Sequence, residues 1–273
     1  LPQSEDTIAH PPHPTRDPRP ERRILLVGIT GTGKSAVGNT ILGSPVFESK
    51  MSFVSVTQTC QREEALLNGR KVVVVDTPGF LDTARLPLET LAELSKCIKF
   101  CPPGPHVILQ VMRVGWFTQE EKHVARLMEF FSLKGKDYMI ILFTHKDKLE
   151  GKTLEKFIAE GNAGLKEQVY QCGNRFLAFN NKAEGAEREA QVGQLMAMID
   201  ALVQKNCAAP CYTEEMLKAE KEGRNGNSTD RLLLGLSRFS FLLPPPELPH
   251  RRFSWRSFPE LIPSPEKLVS PRG

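Results

Sequence analysis

No stretch of this chain is apolar for long enough to cross a bilayer as a helix. The most apolar late run, Leu232 to Leu243, is short and carries Arg238 in its middle, so it predicts at most a peripheral contact with a membrane surface or a partner. The chain starts at Leu1, and no charged start followed by an apolar stretch and a cleavage site is present, so no secretory signal is read. The six cysteines (Cys60, Cys97, Cys101, Cys172, Cys207 and Cys211) include no CxxC pair and no neighbouring histidine at ligand spacing. That excludes a zinc site and predicts reduced thiols in a cytoplasmic setting, with Cys97 and Cys101 as small buried residues on one helix face. Blocks of basic charge are also missing. The net charge is +4, with lysine and arginine scattered among 32 acidic residues, which argues against nucleic acid as a partner. No internal repeat is found.

What is present is the composition of a folded domain, 40% hydrophobic and 25% charged. Short apolar runs at Ile24 to Val27, Val72 to Val75, His106 to Met112 and Met139 to Phe143, with a weaker one at Arg175 to Phe179, alternate with amphipathic segments. This alternation predicts an α/β fold, a mainly parallel sheet with helices on both faces. Thr118 to Ser132 reads as a helix with Thr118 and Glu121 as its capping box, and Glu187 to Lys205 as the last helix. The expected organisation is a flexible proline-rich arm over residues 1–21, a domain over 22–206, a short helix and apolar linker over 207–243, and a proline-rich disordered tail over 244–273.

Three motifs carry chemistry. Gly28-Ile29-Thr30-Gly31-Thr32-Gly33-Lys34-Ser35 matches G-x-x-x-x-G-K-[ST] between a strand and a helix. Its glycines let backbone amides face phosphate oxygens, Lys34 reaches the β- and γ-phosphates, and Ser35 coordinates Mg2+. Val72 to Val75 then delivers Asp76 to the C-terminal edge of the sheet as a second Mg2+ group, followed by Thr77-Pro78-Gly79, where the Gly79 amide can sense the γ-phosphate. Between them, Ser55 to Thr59 suits a switch; Thr57 is favoured over Thr59 as the Mg2+ cap, and strand threonines are the plain alternative. Third, Phe143-Thr144-His145-Lys146-Asp147 ends a strand. The Asp147 carboxylate can accept hydrogen bonds from guanine N1–H and its 2-amino group, a donor pair that adenine lacks. His145 can stack on the base, and Asn180 and Asn181 at the next strand end can meet its O6 edge.

These residues together resemble the immunity-associated GTPases, the GIMAP family, related to septins and the chloroplast Toc receptors. The resemblance spans about residues 22 to 206. Its most specific pieces are Gly28 to Ala36 continuing through Val37-Gly38-Asn39-Thr40-Ile41-Leu42-Gly43, then Ser55-Val56-Thr57, Asp76 to Gly79, Phe117 to Glu121, Thr144 to Asp147 and Phe179 to Ala183. It implies a Ras-like P-loop G domain that binds GTP and GDP with Mg2+. It also implies a conformational switch that dimerises with itself or with related GTPases when loaded with GTP, at a cytoplasmic or membrane-surface location. Ala36 and Ser49 enter the expected nucleotide site on the resemblance. No glutamine follows Gly79. Where some relatives carry an arginine directly before the aromatic-threonine pair this chain has Trp116, with Arg113 three residues earlier. Slow or partner-dependent hydrolysis is therefore expected; the alternative is an assembly scaffold that holds GTP without hydrolysing it.

Overall fold

Val, Ile and Leu fill the strands that lie between two helical layers, and their side chains point alternately to either layer. In β1, Arg22–Val27, Ile24 and Leu26 pack on one face with Val37, Ile41, Leu195 and Ile199, while Leu25 and Val27 pack on the other with Leu94, Ile98, Leu165 and Val169. A continuous apolar run is what burial on both faces demands. The computed structural model describes residues 20–49, 57, 59–79, 87–115 and 134–225. The expected arm before Pro20, the helix from Thr118 to Ser132, Trp116 and the tail lie outside those residues.

The further strands are β2 at Gln61–Leu67, β3 at Arg70–Asp76, β4 at Val107–Arg113, β5 at Met139–Thr144 and β6 at Phe176–Phe179. They form a sheet in the order β2-β3-β1-β4-β5-β6. Only the β2–β3 pairing is antiparallel. The described helices are α1 at Lys34–Leu42, α2 at Pro87–Lys99, α3 at Leu154–Glu160, α4 at Ala163–Gln171, α5 at Gly185–Lys205 and α6 at Glu214–Asn225. None of them is long and apolar enough to cross a membrane. All five parallel strands run the same way, so Val27, Asp76, Arg113, Thr144 and Phe179 end at one edge, where open α/β sheets bind ligands.

Three features depart from or extend the sequence expectations. The edge strand β2 was not foreseen, because Gln61-Arg62-Glu63-Glu64 is charged and mostly exposed, as an edge that resists pairing with other chains should be. Its signal was the turn Asn68-Gly69, where both residues have positive φ (50° and 81°), the geometry of a type I′ hairpin. The packed body also continues past Asn206. Tyr212 is fully buried, its amide donates to the Pro105 carbonyl at 2.9 Å, and Leu217 of α6 joins the core beneath α2 and α4. Finally, Cys60 and Cys97 are not free thiols: a disulfide joins them across a Cα–Cα distance of 5.7 Å. The pairing was illegible because it is set by how the start of β2 passes α2, not by sequence spacing. Cys97 and Cys101 are both fully buried, as expected, but α2 ends at Lys99, so Cys101 lies beyond the helix and not on its face.

The unusual continuation of the first motif has a packing cause. A side chain at Gly38 would place its Cβ 2.7 Å from the Phe47 ring, so only glycine lets that ring close over α1. Asn39 then fixes the returning chain from both sides: its amide nitrogen donates to the Phe47 carbonyl at 2.9 Å, and its oxygen accepts from the Phe47 amide at 2.8 Å. The middle of α1 and the chain at Phe47 are thereby held together.

Candidate nucleotide-binding site

The loop from Gly28 to Gly33 leaves β1 and turns into α1 through Gly33, which caps the helix with φ 90° and no side-chain cap. The first amides of α1, at Lys34, Ser35 and Ala36, belong to an end that has no acidic residue in its first turn, a ready anion site. Thr32 stabilises the loop by donating to the Ile29 carbonyl at 2.9 Å. Thr30 and Gly31 form its outer bend; the Thr30 hydroxyl is buried and meets no hydrogen-bond partner among the described residues.

Lys34 is buried and lies across the cradle, donating to the Ile29 carbonyl at 3.1 Å. Burial pulls its pKa down to about 8, partly opposed by the negative charge of Asp76. Asp76, fully buried at the end of β3, has its pKa raised by burial, against the pull of Lys34 and of hydrogen bonds from Ser35 and Thr57. Ser35 donates to its Oδ2 at 2.6 Å and Thr57 donates to the same oxygen at 3.1 Å, with the two hydroxyls 3.4 Å apart. The Thr77 amide favours the charged form of Asp76, yet no hydrogen bond of ordinary geometry reaches Oδ1. Two hydroxyls and an under-coordinated buried carboxylate are hard oxygen ligands that fit Mg2+. Of the two threonines weighed from sequence, Thr57 is the one buried against Asp76, whereas Thr59 is exposed.

Gly79 closes the other side of the cradle. A Cβ there would fall 1.9 Å from the Thr30 hydroxyl and 2.9 Å from the Thr30 amide, so the chain after β3 rests directly on the loop after β1. Nothing larger than glycine permits that approach, and any anion that moves one must be felt by the other.

The segment expected to read the base is tied to the same loop. Thr144 is buried and donates to the Thr32 carbonyl at 2.8 Å. His145 turns the chain outward in the left-handed conformation, φ 60°, with its Nδ1 3.1 Å from the Thr144 hydroxyl; burial and the nearby Arg113 charge keep its pKa low. Lys146 and Asp147 follow in a short helical turn with exposed side chains, and Asp147 lies 3.8 Å from the Lys182 ammonium. Asn181 sits behind Gly33 and 3.0 Å from the Thr40 hydroxyl. The Asn180 side chain instead accepts from the Lys182 amide at 3.1 Å, and its own amide donates to buried Gln191 at 2.6 Å. Ser49 is exposed, and its place at a nucleotide rests on the resemblance alone. Sequence reasoning missed Thr40, Lys182 and Gln191; a glutamine beside Val192 on the apolar face of α5 was the available signal.

Comparisons with known proteins fit this geometry. Residues 22–231 match the AIG1 family. The chain is 37% identical to the human GTPase IMAP family member 8 over 188 residues, covering 68% of this chain and 28% of that protein. It is 37% identical to the Arabidopsis thaliana immune-associated nucleotide-binding protein 9 over 209 residues, covering 74% of this chain and 61% of that protein. The chain thus spans less than two thirds of either relative. Among solved structures, Arabidopsis thaliana Toc33 in complex with GDP and Mg2+ superposes with a TM-score of 0.52 at 15% identity, over 67% of this chain and 84% of that one. A structure from work on the chloroplast translocon components atToc33 and psToc159, for whose GTPase activity dimerization is important, superposes with a TM-score of 0.52 at 16% identity, over 67% and 82% of the two chains. At such identities the likeness shows the fold, a P-loop G domain.

The lowered pKa of Lys34 predicts a measurable cost in the nucleotide-free protein. The unfolded chain holds that proton up to about pH 10.5 and the folded chain only to about 8, so the group's contribution to stability rises with pH between those values. Replacing Lys34 by Met removes the buried charge. Thermal unfolding of the nucleotide-free Lys34→Met protein is predicted to show a gain of about 2 to 4 kcal/mol near pH 7, shrinking as pH is raised toward 9.5. Equal or lower stability of the variant across that range would show that Lys34 is not held as a buried cation.

Proposed function

The chain belongs to the AIG1 family, and on that premise we propose that it binds GTP and GDP with Mg2+ and acts as a nucleotide-dependent conformational and dimerisation switch with slow hydrolysis. The observation that carries this reading is the placement of buried Lys34 within electrostatic reach of buried Asp76, whose Oδ2 accepts from both Ser35 and Thr57. Among the described residues, Asp76 is the carboxylate whose charge bears on the amine. A β,γ-phosphate supplies charge for the amine and Mg2+ for the carboxylate. Bound there, Mg2+ would supply positive charge to offset that of the phosphates.

The protein's own residues do the rest. The loop amides from Gly28 to Gly33 and the start of α1 receive the phosphates, and Lys34 leaves the Ile29 carbonyl to meet them. Ser35, Thr57 and Asp76 hold the metal. Because Thr57 is followed by β2 and Asp76 by Gly79, loading reports to both segments. Asp147 reads the base, as supported by its position beyond Thr144, which is tethered to the phosphate loop. Arg113 lies beside Thr144 in the sheet register, near enough for its charge to bear on His145. Among the described residues it is the arginine proposed to act on transition-state charge in a dimer.

Asp147→Asn tests the guanine reading. The variant is predicted to lose at least about tenfold in GTP affinity and to shift preference toward XTP, because the amide donates where xanthine carries a C2 carbonyl. Unchanged preference for GTP over XTP would place the base elsewhere.

Single-turnover hydrolysis across a protein concentration series tests the switch. We predict a slow rate at low concentration, since no glutamine follows Gly79, rising with concentration in wild type and not in Arg113→Ala. A slow rate at every concentration in both proteins would favour the non-hydrolysing scaffold. A fast rate at low concentration would overturn both readings.

A further inference from the structure

The buried face of α5 is formed by Gln191, Val192, Leu195, Met196, Ile199 and Leu202. The five apolar residues join the core cluster with β1, β4, β5 and β6; Gln191, only 4% exposed, is the polar member of that face. A buried primary amide costs free energy unless its acceptor and donors find partners. Gln191 finds them on the backbone of Asn180, the residue that follows β6. Its Oε1 accepts from the Asn180 amide at 2.6 Å, and its Nε2 donates to the Asn180 carbonyl at 3.3 Å. The backbone fixes which end of the side chain is which, because an N–H needs the oxygen and a carbonyl needs the nitrogen.

The residue held in this way opens the turn from Asn180 to Ala183. The Asn180 carbonyl also accepts from the Ala183 amide at 3.0 Å, and the Asn180 Oδ1 accepts from the Lys182 amide at 3.1 Å, so the turn is closed on itself. From the other side α1 holds it: Asn181 Oδ1 lies 3.0 Å from the hydroxyl of buried Thr40, and Asn181 Nδ2 stands 3.7 Å from the place a Cβ on Gly33 would take. The Lys182 ammonium lies 3.8 Å from Asp147. The turn therefore sits between the phosphate loop and the carboxylate expected to read the base, with Gln191 behind it.

We propose that Gln191 is a positioning residue for the base: by holding the Asn180 backbone at two points it sets where the turn stands beside Asp147, and so how tightly the base, as distinct from the phosphates, is bound. The proposal rests on the guanine-nucleotide reading above. Two helices share the turn and bear on different halves of the nucleotide. α1 offers its first amides to the phosphates, whereas the cradle groups Lys34, Ser35, Thr57, Asp76 and Gly79 all lie outside α5. Without Gln191 the Asn180 carbonyl keeps the Ala183 amide, but the Asn180 amide loses its acceptor and the turn must shift to find another. That shift costs base affinity and spares the phosphate cradle.

Gln191→Met tests this in the full 273-residue chain, because methionine has a similar length, suits an apolar face and makes neither hydrogen bond. Nucleotide-free wild type and variant, each checked for folding by circular dichroism, are titrated in Mg2+ with GTP, with ATP and with inorganic triphosphate, which has no base. The variant is expected to bind GTP at least about fivefold more weakly, to lose preference for GTP over ATP by a similar factor, and to bind inorganic triphosphate within about twofold of wild type. Should Gln191→Met fail to fold, Gln191→Asn, one methylene too short to keep both contacts, is measured in its place with the same expectation. An equal loss for GTP and inorganic triphosphate would make Gln191 a general support of the fold and overturn the proposal, as would unchanged GTP affinity. A wild type that binds inorganic triphosphate and shows no preference for GTP over ATP would overturn the guanine reading itself, and the proposal with it.

Discussion

A buried amine and a buried carboxylate, each held at the end of an element that cannot move without disturbing the sheet, set the terms for the rest of this molecule. Lys34 is fixed by the first turn of α1 and Asp76 by the last residue of β3, and β1 between them pairs directly with β3. Burial works against both charges, lowering the pKa of one and raising that of the other. They attract each other, but neither has the full set of partners that a buried ion needs. A phosphate chain with its metal would complement that arrangement, as the proposed function requires.

The surrounding structure connects that arrangement to its neighbours. Ser35 and Thr57 share one oxygen of Asp76, so Thr57, ahead of β2, is engaged by the same carboxylate that is proposed to take the metal. Gly79 presses on Thr30, coupling the end of β3 to the phosphate loop. Thr144 clasps the Thr32 carbonyl, so the base-reading turn cannot shift independently. The Cys60–Cys97 disulfide adds a covalent tie between the segment before β2 and α2. On the proposed function, three strand ends would therefore respond together to the nucleotide.

The parts of this arrangement that were legible in the sequence are those in which a local run of residues fixes its own conformation. A glycine-rich turn before Lys34-Ser35, an apolar run ending in Asp76 and another ending in Thr144 to Asp147 each carry their geometry in a few consecutive positions. The parallel core strands were readable for the same reason, since burial on both faces leaves only apolar residues. What could not be read depends on distant contacts. β2 is a strand because it pairs with β3, although Arg62-Glu63-Glu64 says nothing of it. Asn39 matters because Phe47 returns to it, Asn180 is held by Gln191 from α5, and Tyr212 is buried because the chain after α5 folds back on Pro105. Cys60 and Cys97 meet only once the sheet and α2 are in place.

The central claim is that the cradle is built around a buried cation awaiting phosphate, and proton linkage tests it most directly. Nucleotide-free protein should be titrated with GDP and Mg2+ near pH 8.5 in two buffers of different ionisation enthalpy. At that pH a Lys34 ammonium with a pKa of about 8 is largely deprotonated before binding, and the phosphates recharge it. The account predicts binding at micromolar affinity or tighter with uptake of about half a proton or more, an uptake that disappears near pH 6.5 and in Lys34→Met. Tight binding with no proton uptake at pH 8.5, or an uptake that persists in Lys34→Met, would contradict it.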